Sequence, residues 1–302
     1  MYLEHYGLLR PPFEMTPDPS FLYLGETHRE GLATLVYGVR ARKGFLLLTG
    51  EVGTGKTTLL HALLSQLDAS TASAFIFNPR LEPLDFFRMV LEEYGIQEGC
   101  KTKADFLLTL NRFLIERLEK NQPVLLIVDE AQNLTADLLE EIRLLSNLET
   151  PTSKLIQIML VGQPELRGLL ARPELRQLRQ RIVLRHHLRP FDAAECESYV
   201  QERLRLAGYT GKGVFDKAAL REIYALTGGV PRLVNSLCDG ALLLGFARDL
   251  HVLGREQIRE AARDLELTAE VAASPTANAP LSPTPRPRPR PRGLLARFRR
   301  RG

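Results

Sequence analysis

The sequence has 302 residues, of which 44% are hydrophobic and 25% are charged, and this balance is typical of a globular protein with more than one domain. No apolar run approaches the roughly 20 residues that span a bilayer, and Glu4 and His5 stand where a signal peptide requires apolar residues, so we expect a protein that is neither secreted nor membrane-spanning. The net charge of +4 comes from residues 274–302, which hold eight arginines and no acid; the remaining 32 basic and 36 acidic residues give residues 1–273 a charge of about −4, which disfavours a general nucleic-acid binder.

The first part of the chain, up to about residue 190, alternates short apolar runs with amphipathic stretches. Helical patterns such as 105–118 and 137–148 separate several of the runs, and continuously apolar strands interleaved with helices indicate a parallel sheet covered on both faces. We therefore predict an α/β domain over residues 1–190. The candidate strands are 44–49 (GFLLLT), 74–78 (AFIFN), 124–128 (VLLIV), 155–161 (LIQIMLV) and 182–187 (IVLRHH).

After Pro190 the hydrophobic periodicity is helical only. Asp192 and Asp216 stand where helix N-caps belong, and Gly208 and Gly228–Gly229 stand where helices end. We predict a small all-helical domain over residues 191–267, with helices at 193–206, 216–226, 232–246 and 255–265.

The last segment, 268–302, contains the dipeptide Pro-Arg four times in succession at 285–292. This repeat cannot form a helix or a sheet and favours extended polyproline II, so we predict a disordered basic tail. Leu294, Leu295 and Phe298 then stand among arginines. The tail is either a solubilising terminus or a tether to something anionic, for which we favour a membrane surface over DNA.

Residues 50–57 (GEVGTGKT) match the phosphate-loop pattern GxxxxGK[ST] between an apolar strand and a helical stretch. Glycines allow successive backbone N–H groups to converge on phosphate oxygens, and the N-terminus of the following helix favours the same anion. Lys56 would reach the β- and γ-phosphates, and the hydroxyl of Thr57 would bind Mg²⁺. The predicted nucleotide-binding residues of this loop are Gly50, Glu51, Val52, Gly53, Thr54, Gly55, Lys56, Thr57 and Thr58.

The apolar run 124–128 ends in two acids, Asp129 and Glu130. Asp129 could hold Mg²⁺ through water, and Glu130 could orient or deprotonate an attacking water molecule. Such a pair is often only a solvated strand end. Together with the phosphate loop it indicates a hydrolase.

Three polar residues could complete the site. Gln163, after the run 155–161, is either a sensor beside the γ-phosphate or a polar strand cap. Arg181 precedes the run 182–187 and could be offered to the nucleotide of a neighbouring subunit, although an arginine on a solvated helix end is the alternative. Arg232 opens a helix of the second domain and could contact the γ-phosphate, or it could pair with an acid instead.

Asn78, at the end of the second candidate strand, could hold Glu130 inactive, but an asparagine that begins an Asn-Pro turn needs no such role.

Several of these motifs together resemble the AAA+ ATPases of the general secretion pathway protein A (ExeA-like) family, over residues 2 to about 265. The phosphate loop alone would indicate only an NTPase, whereas DEAQ, LVGQPEL and the N-terminal block together are specific. The residues that carry the resemblance are 6–8 (YGL), 11–13 (PPF), 16–19 (TPDP), 21–24 (FLYL), 28–30 (HRE), 50–57, 129–132 (DEAQ), 144–149 (LLSNLE), 160–166 (LVGQPEL) and 229–232 (GVPR).

This resemblance implies ATP as the nucleotide, an AAA+ core with a helical lid, a ring-type homo-oligomer, and Arg181 as a finger that acts on the neighbouring subunit. Longer family members are similar up to the ATPase and then continue with a transmembrane helix and a peptidoglycan-binding domain, where this sequence has the Pro-Arg tail. Similar ATPases act in exopolysaccharide export and type IV pilus systems.

We therefore expect a cytoplasmic AAA+ ATPase, which could be peripheral at the inner face of the membrane and which drives assembly or remodelling of an unidentified protein partner. The three cysteines, too few and too far apart for a disulfide framework, agree with a reducing compartment. Two other functions are open: a DNA-associated regulatory ATPase of the transposition type, and a scaffold that binds nucleotide without hydrolysis. An intact Glu130 argues against the scaffold.

Overall fold

The computed structural model describes residues 2–15, 21, 23–77, 81–97 and 99–267. Within these residues the chain forms five strands and twelve α-helices. The strands are β1 (Phe45–Gly50), β2 (Ala72–Ile76), β3 (Val124–Val128), β4 (Gln157–Gly162) and β5 (Ile182–Leu188). The helices are α1 (Tyr2–Tyr6), α2 (Glu26–Arg40), α3 (Lys56–Gln66), α4 (Pro83–Glu93), α5 (Lys103–Glu119), α6 (Ala136–Leu145), α7 (Glu165–Leu170), α8 (Arg176–Arg181), α9 (Ala193–Leu206), α10 (Lys217–Thr227), α11 (Pro231–Ala247) and α12 (Arg255–Asp264).

The five strands form one parallel sheet in the order β2-β3-β4-β1-β5. Every residue of β1, β3 and β4 is buried, which agrees with their apolar sequences. The predicted α/β class with a parallel sheet is confirmed. Because all strands run the same way, their carboxyl ends meet at one edge, where β1 leads into the phosphate loop and β3 into the acidic pair.

Helices cover both faces of the sheet. Leu125 and Ile127 of β3 pack in one apolar cluster with residues of α2 and α3. Leu126 and Val128 pack in a second cluster with residues of α4, α5 and α6. Side chains that alternate along one strand therefore enter opposite cores, which is why an uninterrupted apolar run marks a central strand.

The helices α9–α12 form a third core. Asp192 caps α9 and Asp216 caps α10, each by accepting a hydrogen bond from a backbone N–H three residues on. Gly228 ends α10 in the left-handed conformation. The predicted capping roles of Asp192, Asp216 and Gly228 are confirmed.

The N-terminal segment packs on the helical domain rather than on the sheet. Tyr6, Leu8, Phe13 and Phe21 belong to the same apolar cluster as the helices α9–α12. Arg203 of α9 holds this segment by donating from Nε to the Pro12 carbonyl and from Nη2 to the Glu14 carbonyl. The division at residue 190 stays a prediction, but the start of the 1–190 segment contributes its core residues to the helical domain.

No helix in the described part of the chain combines the length and the apolar character needed to cross a membrane. Asn78 and the tail 268–302 lie outside the described residues, so the roles predicted for them stay predictions.

Candidate functional site

The phosphate loop connects β1 to α3 at the carboxyl edge of the sheet. Gly53 and Gly55 have φ angles of +79° and +94°, in the left-handed region that favours glycine. A Cβ atom on Gly53 would lie 2.7 Å from Cβ of Arg232, so the loop has no room for a side chain there. The loop is therefore a tight glycine-dependent turn that leads into the N-terminus of an 11-residue helix, which is an arrangement that suits a phosphate group.

Lys56 lies beneath this loop. Its Nζ donates to the carbonyl of Gly50 at 2.9 Å and to that of Glu51 at 3.1 Å, and the residue is only 7% exposed. Burial lowers the pKa of Lys56, and the negative charges of Glu130 and Asp129 oppose that effect. An ammonium group held so close to the loop can exchange these carbonyl bonds for phosphate oxygens.

Asp129 directly follows β3 and is buried. Its backbone N–H donates to the carbonyl of Ile76 at 3.0 Å, and its Oδ1 accepts the backbone N–H of Glu130 at 2.8 Å. Burial raises the pKa of Asp129, while the hydrogen bond from Glu130 opposes the rise. The hydroxyl of Thr57 and the carboxylate of Asp129 are hard oxygen donors of the kind that Mg²⁺ prefers, so the donor set fits this ion.

Glu130 has a φ angle of 51° and its side chain lines the central cavity described below. Its Oε2 accepts hydrogen bonds from the side-chain amide of Gln132 and, at 3.2 Å, from that of Gln163. Gln132 also accepts the backbone N–H of Gln163 at 3.0 Å. The structure therefore brings the predicted residues Glu130 and Gln163 into direct contact.

Arg232 lies in the first turn of α11 and joins the helical domain to the phosphate loop. Its backbone N–H donates to the carbonyl of Gly53 at 3.2 Å, and its exposed side chain lines the cavity. An arginine from the helical domain therefore lies at the phosphate loop, and its contact with the γ-phosphate stays a prediction.

A cavity of about 460 Å³ is lined by residues of both the phosphate-loop region and the helical domain. Lys56, Thr57, Glu130 and Gln163 line its polar end. Four aromatic residues, Phe21, Tyr23, Phe191 and Tyr199, line another part of the cavity. The ring centroids of Tyr23, Phe191 and Tyr199 lie 5.1 to 5.6 Å apart. An aromatic wall beside a cationic loop fits a ligand with a flat ring and a phosphate chain.

Sequence reasoning missed this wall and also missed a contact of His28. His28 Nε2 donates to the carbonyl of Thr54 at 3.0 Å, and the imidazole ring lies 5.1 Å from the ring of Phe191. Burial lowers the pKa of His28, while the hydrogen bond to Thr54 opposes that effect. Although His28 belongs to a quoted motif, its spacing from the phosphate loop carries no signal for a contact between the two.

Arg181 does not line the cavity. It is half-buried at the end of α8, and its Nη1 donates to Oγ of Ser146. Arg172, Arg176 and Arg179, which precede it, are exposed. A finger that acts on a neighbouring subunit would lie outside its own cavity, so this role of Arg181 stays a prediction.

Comparison with known proteins finds a match to a family model described as an AAA domain over residues 39–170. General secretion pathway protein A of Aeromonas hydrophila is 43% identical over 266 residues, which are 88% of this chain and 48% of that protein. The type II secretion system protein HxcR of Pseudomonas aeruginosa is 26% identical over 212 residues, which are 68% of this chain and 42% of that protein. The chain thus spans less than half the length of each of these relatives.

Among solved structures, the ORC2 protein of Aeropyrum pernix, determined as ADPNP and ADP complexes, matches with a TM-score of 0.64. The two share 19% sequence identity, and the match covers 84% of this chain and 71% of that one. At this identity the likeness concerns the fold alone.

Proposed function

We propose that this chain is an AAA+ ATPase of the general secretion pathway protein A family, which binds ATP with Mg²⁺ in the cavity between the sheet and the helical domain and hydrolyses it. The observation that carries the proposal is the convergence of Lys56 and Glu130 on one cavity. A chain with only a binding role would need the lysine and not the carboxylate.

The residues divide the work between binding and chemistry. The phosphate-loop amides and Lys56 bind the phosphate chain, and Thr57 and Asp129 would hold Mg²⁺, which supplies positive charge that offsets the phosphates. Glu130 positions the attacking water and accepts its proton. Arg232 of the helical domain and Gln163 at the end of β4 both line the cavity, and in this proposal both sense the γ-phosphate.

Two variants test this division. Lys56→Ala should weaken ATP binding, because the lysine acts on phosphates in the ground state. Glu130→Gln should keep binding and slow hydrolysis by about 10²-fold or more, because the carboxylate acts only on the water. Lys43→Ala, at the opposite end of β1, is the matched lysine control and should behave like wild type.

Measured ATP affinity and single-turnover hydrolysis distinguish the outcomes. Equal hydrolysis by wild type and Glu130→Gln would remove the catalytic assignment. Absence of turnover in an oligomeric wild-type preparation would favour the non-hydrolysing scaffold instead.

We further propose that the hydrolytic cycle acts in a homo-oligomeric ring, in the cytoplasm or at the inner face of the membrane, on a partner complex of the cell envelope. Support comes from the names of the two relatives, a general secretion pathway protein and a type II secretion system protein. Envelope secretion, polysaccharide export and pilus assembly are the candidate processes.

Glu130→Gln should accumulate the ATP-bound state with its partner, whereas Lys56→Ala should not. Cross-linking in cells followed by mass spectrometry should recover envelope-assembly proteins with the first variant and lose them with the second. Salt-dependent stimulation of the ATPase by duplex DNA, without such partners, would favour the DNA-associated alternative.

A further inference from the structure

A cluster of two histidines and one aspartate lies away from the cavity, where α1 packs against the loop that follows α11. Asp249 and His251 belong to this loop and are exposed, whereas His5 belongs to α1 and its side chain is only 10% exposed. One ligand atom from each of the three residues lies within 4.8 Å of those of the other two. Nothing in the proposed ATPase cycle uses these residues.

The position of the proton on His5 follows from its neighbour. Nε2 lies 3.1 Å from the carbonyl oxygen of Leu250. Because a carbonyl oxygen can only accept, Nε2 carries hydrogen and Nδ1 of the neutral ring has a lone pair. This Nδ1 lies 3.7 Å from Oδ1 of Asp249. Two electron-pair donors face one another, and a cation between them, either a proton or a metal ion, removes their repulsion.

Contacts with two aromatic rings stabilise the orientation of the His5 ring. It meets the rings of Tyr6 and Phe246 edge to face, with centroid distances of 4.7 and 5.7 Å. The hydroxyl of Tyr6 donates to the same Leu250 carbonyl at 3.0 Å, so α1 and the loop share one anchor. When one imidazole nitrogen binds a metal ion, the other nitrogen usually donates its hydrogen to an acceptor such as a backbone carbonyl, as Nε2 of His5 does here.

His251 completes the donor set from the exposed side. Its ring stacks on His5 with a centroid distance of 4.3 Å and an interplanar angle of 11°. Donor atoms bound to one zinc ion at about 2.1 Å lie about 3.3 Å apart. In this structure the three donor atoms lie within 4.8 Å of one another. Because the side chains of Asp249 and His251 are exposed, rotation about χ1 can bring their donor atoms to the shorter distance that zinc requires.

We propose that His5, Asp249 and His251 form a binding site for a transition-metal ion of the Zn²⁺ type, with water completing the coordination. Two imidazole nitrogens and one carboxylate favour Zn²⁺ and its neighbours over Mg²⁺ or Ca²⁺. The bound ion joins the N-terminal helix to the helical domain, so it reinforces the packing that Tyr6 begins.

The direct test is zinc titration of the full chain, stripped of metal and free of nucleotide, against a chromophoric chelator. His251→Phe keeps a ring against His5 but removes the nitrogen donor, and Asp249→Asn tolerates the left-handed φ of 55° at this position. His61→Phe, at an exposed histidine of α3, is the matched control. Wild type and the control should bind one zinc ion that both site variants bind at least about tenfold more weakly.

The acidic residues of the nucleotide site could also bind zinc, but they are the same in wild type and in all three variants. Zinc bound there would therefore not change the difference in zinc affinity between these proteins. Thermal unfolding gives a second readout: zinc should raise Tm for wild type and His61→Phe more than for His251→Phe, and magnesium should not reproduce the difference. Equal zinc affinities and equal Tm shifts in all four proteins would overturn the proposal.

Discussion

The side-chain amide of Gln163 donates a hydrogen bond of 3.2 Å to Oε2 of Glu130. This bond joins the end of β4 to the end of β3, two neighbouring strands of the sheet. The carboxylate proposed to act on water is therefore oriented by the residue proposed to sense the γ-phosphate. A substitution of Gln163 should therefore alter the orientation of the Glu130 carboxylate.

Gln163→Ala should slow ATP hydrolysis by about tenfold and change ATP affinity much less, because it removes a donor that orients Glu130 without touching the phosphate loop. The measurement is kcat beside an independent nucleotide Kd. Gln201→Ala is the matched control, since it removes a glutamine bonded to Glu197 on the exposed face of α9. A variant at Gln163 with normal turnover would reduce this residue to a polar strand cap.

Arg181→Ala should be nearly inactive alone, because a finger that completes the neighbouring site contributes on the order of 10³-fold to turnover. Mixing it with Lys56→Ala should restore part of the activity, because hybrid interfaces then combine an intact loop with an intact finger. The measurement is ATPase rate against mixing ratio.

Two controls separate this role from the contact between Arg181 and Ser146. Ser146→Ala removes the hydroxyl and should leave turnover intact if the arginine acts on the neighbour. Arg179→Ala, two residues earlier, should also be active. Normal hydrolysis by Arg181→Ala together with loss in Arg179→Ala would move the finger to position 179.

Acid should destabilise the protein through three histidines that are buried or half-buried. Burial lowers the pKa of His28, His186 and His187 below the ordinary value of 6.5. Below about pH 6.5 the unfolded chain therefore binds more protons at these histidines than the folded chain does. The free energy of unfolding is highest above about pH 6.5 and decreases as the pH falls below that value. Urea unfolding at pH 7.5, 6.5 and 5.5 should show this loss.

His28→Gln should reduce the slope of the free energy of unfolding against pH by up to about 1.4 kcal/mol per pH unit, because it removes one imidazole whose pKa is lowered by folding. The same variant at pH 7.5 reports the cost of lost packing alone, since His28 is mostly neutral there in both states. Identical slopes for variant and wild type between pH 6.5 and 5.5 would show that His28 does not contribute.

The basic tail should bind anionic membranes through its apolar residues as well as its arginines. Replacing Leu294, Leu295 and Phe298 with serine leaves all eight arginines in place and removes side chains each worth at most roughly 1.5 to 3 kcal/mol when fully buried in lipid. The triple variant should lose co-sedimentation with anionic vesicles and keep its binding to duplex DNA at matched salt. If the triple variant bound vesicles as well as wild type does, the arginines alone would account for the binding. If wild type bound neither vesicles nor DNA, the tail would be only a solubilising terminus.

The strands, the phosphate loop and the helix caps could be predicted from the sequence because each depends on residues close together in the chain. The apolar run 124–128 predicts a strand with the bounds that β3 has, since five successive buried side chains leave an unbroken apolar pattern. Asp192 is another such case, because its side chain bonds a backbone group only three residues away. The sequence patterns do not predict the helices α1, α2, α4 and α7.

Tertiary structure alone decided which distant residues meet. The N-terminal segment packs on the helical domain, and Phe21, Phe191 and Tyr199 form one wall of the cavity, although they are separated by up to 178 positions in the sequence. The contact between His28 and Thr54 likewise has no counterpart in local spacing. Such contacts depend on how whole helices and strands pack, and a local pattern of hydrophobicity or turn residues specifies only which face of each element is buried.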